Sequence, residues 1–354
     1  MNFTIHQGDA LTVLRAMPEA SVHCCVTSPP YWGLRDYGCV GQLGLERTPS
    51  EYVGNVVAVL EEVRRVLRSD GTLWLNVGDC YATGAVKVGD HPGGGKQGDN
   101  WKGHRGSRGG SAKQPHTGAA IGPLTQPNRL PLPGLKPKDL VGIPWRLAFA
   151  LQDAGWWLRC DVIWNKPNPM PESVTDRPTK SHEYIFLLTK SQKYYYDSDA
   201  IKEPGVFAGP NGRSKSPHAQ GFARRDKVEE RVRQDKQRGH GRRHAGFNER
   251  WDKMTTEEQC AVMRNKRSVW TFATLPTPEA HFATFPLELP ETCLRAGCPE
   301  DGTVLDPFAG AGTTGLACLK QNRNFVGIEL NPTYIEIAYN RARKYYPLLM
   351  EATA

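Results

Sequence analysis

The chain has 354 residues, nine cysteines and a formal net charge of +8, with 39% hydrophobic residues. No stretch approaches the roughly 20 apolar residues of a membrane span, and the N-terminus, MNFTIHQGDA, lacks the basic and apolar regions of a signal peptide. These features argue against a membrane-embedded or exported protein. The cysteines show no CxxC spacing, so they read as buried thiols in a reducing cytoplasm and no metal is expected.

Residues 3–5 read as a short strand ending at Gly8-Asp9, and 10–17 as a short helix. The apolar run 22–26 reads as a buried strand leading into Thr27-Ser28-Pro29-Pro30-Tyr31-Trp32. Over 51–68, Val53, Val56, Val57, Leu60, Val63 and Leu67 recur at helical spacing, with Ser50 as N-cap and Gly71 beyond the end. Residues 72–77 form a further apolar strand, ending at Gly78-Asp79. Gly, Lys, Arg, His and Pro dominate 84–134, where apolar side chains are too sparse for a core, so an insertion is expected. A helix is predicted over 140–154 with Pro144 in its first turn. Strands follow at 157–164 and 184–189, the latter paired as a hairpin with 194–196. Residues 201–270 are polar and basic. Strand, Gly-rich loop, helix, strand and helix then succeed one another over 304–344. Such alternation predicts a mostly parallel α/β sheet with helices on both faces.

The charge is unevenly placed. Residues 201–270 hold 17 Lys/Arg against 9 Asp/Glu, and 84–134 are basic too, with only Asp90 and Asp99 as acids. A basic segment on a balanced core reads as a contact surface for an anionic polymer, or as a solvated loop.

The loop Asp306-Pro307-Phe308-Ala309-Gly310-Ala311-Gly312-Thr313-Thr314-Gly315 satisfies G-x-G-x-x-G, and Glu329 follows its first glycine by 19 residues. Glycines allow a tight turn and close approach to a ligand, helix amides face it, and an acid accepts ribose hydroxyls. A nicotinamide enzyme is one reading. Against it, Asp306-Pro307-Phe308 separates strand from glycines, and only 25 residues follow Glu329. The remaining strands are therefore expected from the N-terminal part, as in a circular permutation. A cofactor with adenosine but no pyrophosphate suits the extra acid Asp306, which is expected to face a cationic amino or sulfonium group.

Ser28-Pro29-Pro30-Tyr31 follows a strand carboxyl end, where open α/β sheets place ligands. The prolines fix φ and remove donors. What remains is a hydroxyl, a carbonyl and an aromatic face. Two acceptors, Ser28 and the Pro29 carbonyl, suit the exocyclic amine of a nucleobase, whose lone pair is delocalised into the ring, with Tyr31 stacking on the base. A Pro-Cys pair is absent, which argues against covalent attack on a pyrimidine ring.

With base loop first and cofactor loop last, the chain resembles the amino-methyltransferases of DNA, permuted beta group. The resemblance implies S-adenosylmethionine as methyl donor, double-stranded DNA as substrate and a mixed seven-stranded Rossmann-like sheet. It also implies a bacterial or phage-encoded cytoplasmic protein, monomeric or homodimeric, without membrane contact and paired in some systems with a cognate restriction endonuclease. It assigns Ser28, Pro29, Pro30 and Tyr31 to catalysis. It assigns Asp9, Phe285, Asp306, Phe308, Gly310, Gly312, Thr313 and Glu329 to the cofactor, with Asp9 near the adenine and residues 281–289 closing over the methionine end. Trp164-Asn165-Lys166-Pro167-Asn168-Pro169 resembles the base-pocket lining. Ser at position 28 is usual for cytosine-N4 enzymes and Asp or Asn for adenine-N6 enzymes, so cytosine is the expected target and adenine the alternative. The implied organisation is a catalytic domain over 1–83, 135–200 and 271–354, interrupted by the 84–134 insertion and a target-recognition region at 201–270. There Arg224, Arg225, Arg231, Arg233, Arg242 and Arg243 are candidates for phosphate or guanine contacts. Asp79 reads equally as pocket residue or turn, and His182-Glu183 as a base-like pair at a strand start.

Overall fold

The structure, a computed structural model, describes residues 2–83, 127–129, 132–204, 263–274 and 285–347. The chain divides into two units, Met1–Asp197 with Arg267–Ala354, and Ser198–Lys266. In the larger unit the elements run β1 (Phe3–Gln7), α1 (Ala10–Ala16), β2 (Val22–Thr27), α2 (Pro49–Val66), β3 (Leu67–Val77), α3 (Ile143–Asp153), β4 (Trp157–Asn165) and β5 (His182–Thr189). The smaller unit contributes a two-residue pairing, β6 (Glu203–Pro204) against β7 (Met263–Arg264), with Arg264 and Glu203 ion-paired at 3.0 Å. The larger unit resumes with β8 (Val269–Thr271), α4 (Glu288–Gly297), β9 (Thr303–Asp306), α5 (Thr313–Lys320), β10 (Asn324–Glu329) and α6 (Pro332–Tyr345).

Eight strands form one mixed sheet in the order β1-β10-β9-β2-β3-β5-β4-β8. The first five run parallel, β5 is antiparallel to both β3 and β4, and β8 is parallel to β4. Seven strands were expected. The eighth is the three-residue edge strand β8, too short to carry a period-2 signal. The expected hairpin of 184–189 with 194–196 is not formed either: β5 pairs with β3 and β4 instead, and Tyr194–Tyr196 are loop residues. Here a long-range pairing that buries β5 outcompetes the local one.

The permutation is visible in β1, which lies against β10 with Phe3 opposite Phe325 and Gln7 opposite Glu329. The rings of Phe3 and Phe325 pack at 5.1 Å. Gly315 in α5 sits on this pair, since a Cβ there would come within 2.5 Å of Phe3 and 2.8 Å of Phe325.

Adjacent strand residues point to opposite faces, and Cys24-Cys25 show it. Cys25 belongs to the core shared with α1, α2 and α3, where Tyr52, Val56, Leu60, Val63, Leu147 and Leu151 are buried. Cys24 faces Thr72 and the α4 thiols Cys293 and Cys298. Burial pushes the Cys24, Cys25, Cys293 and Cys318 thiols up, as expected of inert core cysteines. Helix α2 starts one turn earlier than its apolar spacing indicates. Thr48 rather than Ser50 is the N-cap, in a reciprocal capping box with Glu51 and with Pro49 in the first turn. Among the described residues no helix is long and apolar enough to cross a membrane.

Candidate active site

The carboxyl ends of β1, β10, β9, β2 and β3 line up along one edge of the sheet, so the loops after Gln7, Glu329, Asp306, Thr27 and Val77 converge there. They border a cavity of about 1150 Å³. Its wall includes the cofactor-loop residues Phe308, Gly310 and Thr313 with Glu329, and the base-loop residues Ser28, Pro29, Pro30 and Tyr31. Asp9, Phe285 and Asp306 also border it, while Gly312 stands behind the loop against α6. Both loops thus face one space. Arg224, Arg225, Arg231, Arg233, Arg242, Arg243, residues 281–284 and residues 84–126 lie outside the described residues.

Asp306 ties the two loops together. Thr27 Oγ1 donates to its Oδ1 at 2.6 Å, Thr314 Oγ1 donates to Oδ2 at 2.8 Å, and the Phe308 amide donates to Oδ1 at 3.1 Å. Burial raises its carboxyl to about 6, against the pull of those three bonds. The sequence led us to expect this acid facing a cationic ligand group; in the structure its carboxylate oxygens brace the loops.

The loop itself is shaped by two left-handed glycines, Gly310 (φ +50°) and Gly312 (φ +74°). A Cβ on Gly312 would lie 2.7 Å from the Ala338 Cβ of α6, whereas one on Gly310 would meet nothing nearer than 4.0 Å. Gly312 therefore serves packing, and Gly310 leaves room on the cavity wall. Glu329 accepts from the Gly310 amide (2.8 Å) and the Asn331 amide (2.8 Å), and burial pushes its carboxyl up. Asp9 caps α1, its Oδ1 accepting from the Thr12 amide at 2.9 Å and the Thr12 hydroxyl at 2.8 Å. From below, the buried Arg341 donates to the Ala311 carbonyl and, at 3.2 Å, to Thr313 Oγ1.

In the base loop, the Pro30 carbonyl accepts from the Tyr52 hydroxyl at 2.8 Å. Among the described residues none donates to the Pro29 carbonyl. Ser28 Oγ lies 3.3 Å from the Tyr31 hydroxyl, which donates to Glu183 Oε2 at 2.7 Å and is 3.1 Å from Asn76 Oδ1. Asn76 Nδ2 donates in turn to Glu183 Oε2 (3.2 Å) and to the Tyr184 carbonyl (3.1 Å). Lys166 is ion-paired to Glu183 Oε1, with its ammonium 4.2 Å from the Trp164 ring centroid. Burial, and then the Glu183 charge, push the Tyr31 phenol up. The Tyr31 ring lies against Gly78, where a Cβ would come within 2.4 Å of it.

Asn76 and Gly78 escaped the sequence reading. They come from β3 and the loop after it, and meet Glu183 only because β5 pairs antiparallel to β3. The local signals were Asn76-Val77-Gly78-Asp79 at a strand end and the acid of His182-Glu183. Asp79 borders the cavity and also caps α3, its Oδ1 accepting from the Gly142 and Ile143 amides at 3.0 Å each. Trp164, Lys166, Asn168 and Pro169 line the wall opposite the cofactor loop's glycines. Tyr194 packs under Arg159 at 5.6 Å, so it is not a base-stacking residue of this cavity. Among the described residues no cluster of His, Cys, Asp or Glu is arranged to hold a metal.

Comparison with known proteins gives this geometry a context. Residues 22–340 match the DNA methylase family of N6/N4 methyltransferases. The type II methyltransferase M.Cfr9I of Citrobacter freundii is 44% identical over 338 residues, covering 96% of this chain and 87% of that protein. The type II methyltransferase M.SmaI of Serratia marcescens is 42% identical, covering 94% and 88%. Among solved structures, PvuII DNA methyltransferase (cytosine-N4-specific) superposes with a TM-score of 0.56 at 16% identity, over 96% of this chain and 86% of that one. The DNA modification methylase TTHA0409 of Thermus thermophilus, complexed with S-adenosyl-L-methionine, superposes with a TM-score of 0.54 at 21% identity, over 98% and 95%.

Proposed function

We propose, from the premise that this chain belongs to the DNA methylase family and is an S-adenosylmethionine-dependent DNA methyltransferase, that it methylates the exocyclic N4 amine of cytosine at a specific site in double-stranded DNA. The observation that carries the base assignment is Ser28. A hydroxyl stands where a carboxylate or amide would accept more strongly, beside a Pro29 carbonyl without a donor among the described residues.

The cavity suits the cofactor. Gly310 leaves space at the wall, Glu329 offers a carboxylate to a ribose, and Asp9 and Phe285 border the same space. When bound, S-adenosylmethionine supplies an electrophilic methyl group: the amine lone pair forms the N–C bond as the C–S bond breaks, its electrons staying on sulfur. The chain's own residues do the rest. Ser28 and the Pro29 carbonyl accept from the amine hydrogens, drawing the nitrogen toward tetrahedral geometry and freeing its lone pair. Tyr31 presents its ring to a base swung out of the duplex, at a cost of about a few kcal/mol. Positioning and preorganised acceptors carry the rate enhancement.

We assign target reading to 201–270, with Arg224, Arg225, Arg231, Arg233, Arg242 and Arg243 as the candidate contacts, and regard 84–134 as an insertion in the catalytic domain. The type II relatives favour a restriction-modification setting with a partner endonuclease. The test is to incubate the protein with duplex DNA and S-adenosylmethionine, digest the DNA to nucleosides and identify the product by mass. N4-methylcytosine is expected. N6-methyladenine would overturn the base assignment, and no methylated nucleoside would overturn the whole reading.

A further inference from the structure

We propose that Glu183 is the terminal proton acceptor of a hydrogen-bonded chain, Ser28–Tyr31–Glu183, that carries away the proton lost by the methylated amine. The inference rests on the reading above. An exocyclic amine has two hydrogens, so after methyl transfer the nitrogen carries both, the new methyl and a positive charge. One proton must leave before a neutral product can restack.

The donors and acceptors already point the right way. The Tyr31 hydroxyl donates to Glu183 Oε2 at 2.7 Å, and Ser28 Oγ donates to the Tyr31 oxygen at 3.3 Å. Ser28 lone pairs are then left for the amine. As Ser28 takes the amine proton, its own passes to Tyr31 and the Tyr31 proton passes to Glu183. One N–H and two O–H bonds break, three O–H bonds form, and the carboxylate ends as a neutral acid with no change in oxidation state. The phenol, held in its neutral form by burial and by the adjacent carboxylate, passes a proton on without ionising.

The surroundings fit an acceptor rather than a mere strut. Glu183 and Lys166 both border the cavity, with side chains 16% and 19% exposed, so the proton has a way out to solvent after product release. Asn76 Nδ2 fixes Oε2, the oxygen that receives the Tyr31 proton. The charged groups facing Glu183 are Lys166 in direct contact and Lys180 and His182 at longer range. All three come from β4, β5 or the segment entering β5, and the uncharged partners Tyr31 and Asn76 come from the base loop and β3.

The experiment measures single-turnover methylation of a duplex substrate by the full chain across pH, for wild type, Glu183→Gln, Tyr31→Phe and the double variant. Gln keeps an oxygen for the Tyr31 hydroxyl and accepts no proton; Phe keeps the ring and breaks the chain. Each single variant should lose about 100-fold in rate, and the double variant no more than either. The acid limb of the wild-type profile should vanish in Glu183→Gln, while S-adenosylmethionine affinity by calorimetry and the melting temperature stay at wild-type values. Wild-type rate and pH profile in Glu183→Gln would overturn the relay. So would a loss that tracks weaker cofactor binding or a lower melting temperature, which would make the ion pair structural. If the wild-type chain methylates nothing, the methyltransferase reading falls first, and the relay with it.

Discussion

Replacing Gly78 by Ala isolates the position of Tyr31. Gly78 has no positive φ, so Ala is compatible with its backbone. Its Cβ, however, would lie 2.4 Å from Tyr31 Cε2 and 2.8 Å from Cδ2. Carbon atoms in contact sit about 3.5–4.0 Å apart, so the ring must retreat by about 1 Å or more. The bond from the Tyr31 hydroxyl to Glu183, now 2.7 Å, would then exceed hydrogen-bonding distance. A displacement of about 1 Å at a reacting centre lowers rate about 100-fold, and overpacking here should destabilise by about 1–3 kcal/mol. The assay is single-turnover transfer of labelled methyl to duplex DNA, with cofactor affinity measured alongside. Single-turnover rate should fall about 100-fold with S-adenosylmethionine binding unchanged. Wild-type transfer in this variant would refute the claim that the base loop depends on the seat of the Tyr31 ring.

Three further substitutions separate the other parts of the fold. Gly312→Ala combines a left-handed backbone with a 2.7 Å approach to Ala338 and should lower unfolding stability in denaturant by about 2–4 kcal/mol. Gly310→Ala, which meets nothing within ordinary contact, should lose about 1 kcal/mol and instead weaken S-adenosylmethionine binding in calorimetry; equal stability losses would contradict the division of labour between the two glycines. Asp306 has a folded value of about 6 against an ordinary 3.8, so the folded state binds its proton more tightly. That stabilisation, about 3 kcal/mol, is complete below about pH 4 and lost as pH rises through 6. The unfolding free energy of Asp306→Asn relative to wild type should therefore climb by that amount from about pH 4 to pH 7, and a flat difference would count against the buried carboxyl. Thr48→Ala removes the α2 capping box and should reduce stability by about 1 kcal/mol with methylation unaffected; a change in methylation rate at equal cofactor binding would show that α2 reports on the site.

How much of this was legible in the sequence depends on how local each signal is. The cofactor loop was readable because Gly310, Gly312 and Gly315 lie within one turn of backbone and helix, and Glu329 ends the next strand. Helix α5 was found at its observed bounds for the same reason. The base loop was readable because Pro29-Pro30 is rigid in any context. Helix α4 was missed because residues 281–289 were read as a closing segment; its buried face, Leu289, Cys293 and Leu294, is short and begins inside that stretch. The Tyr31–Asn76–Glu183–Lys166 cluster could not be read at all. Its members are up to 152 residues apart and meet through antiparallel pairing of β5 with β3 and β4. The second role of Asp306 was hidden too, since its partners Thr27 and Thr314 are named only by the β2–β9 register.

The most direct test of the account is a structure of the protein with S-adenosylhomocysteine and a duplex carrying its target site. The account predicts the nucleoside against Gly310 and Glu329, and a cytosine turned out of the helix with its N4 amine within hydrogen-bonding distance of Ser28 Oγ and the Pro29 carbonyl. A cofactor seated away from the Gly310 loop, or a target base that meets the protein anywhere but the Ser28–Tyr31 loop, would contradict it.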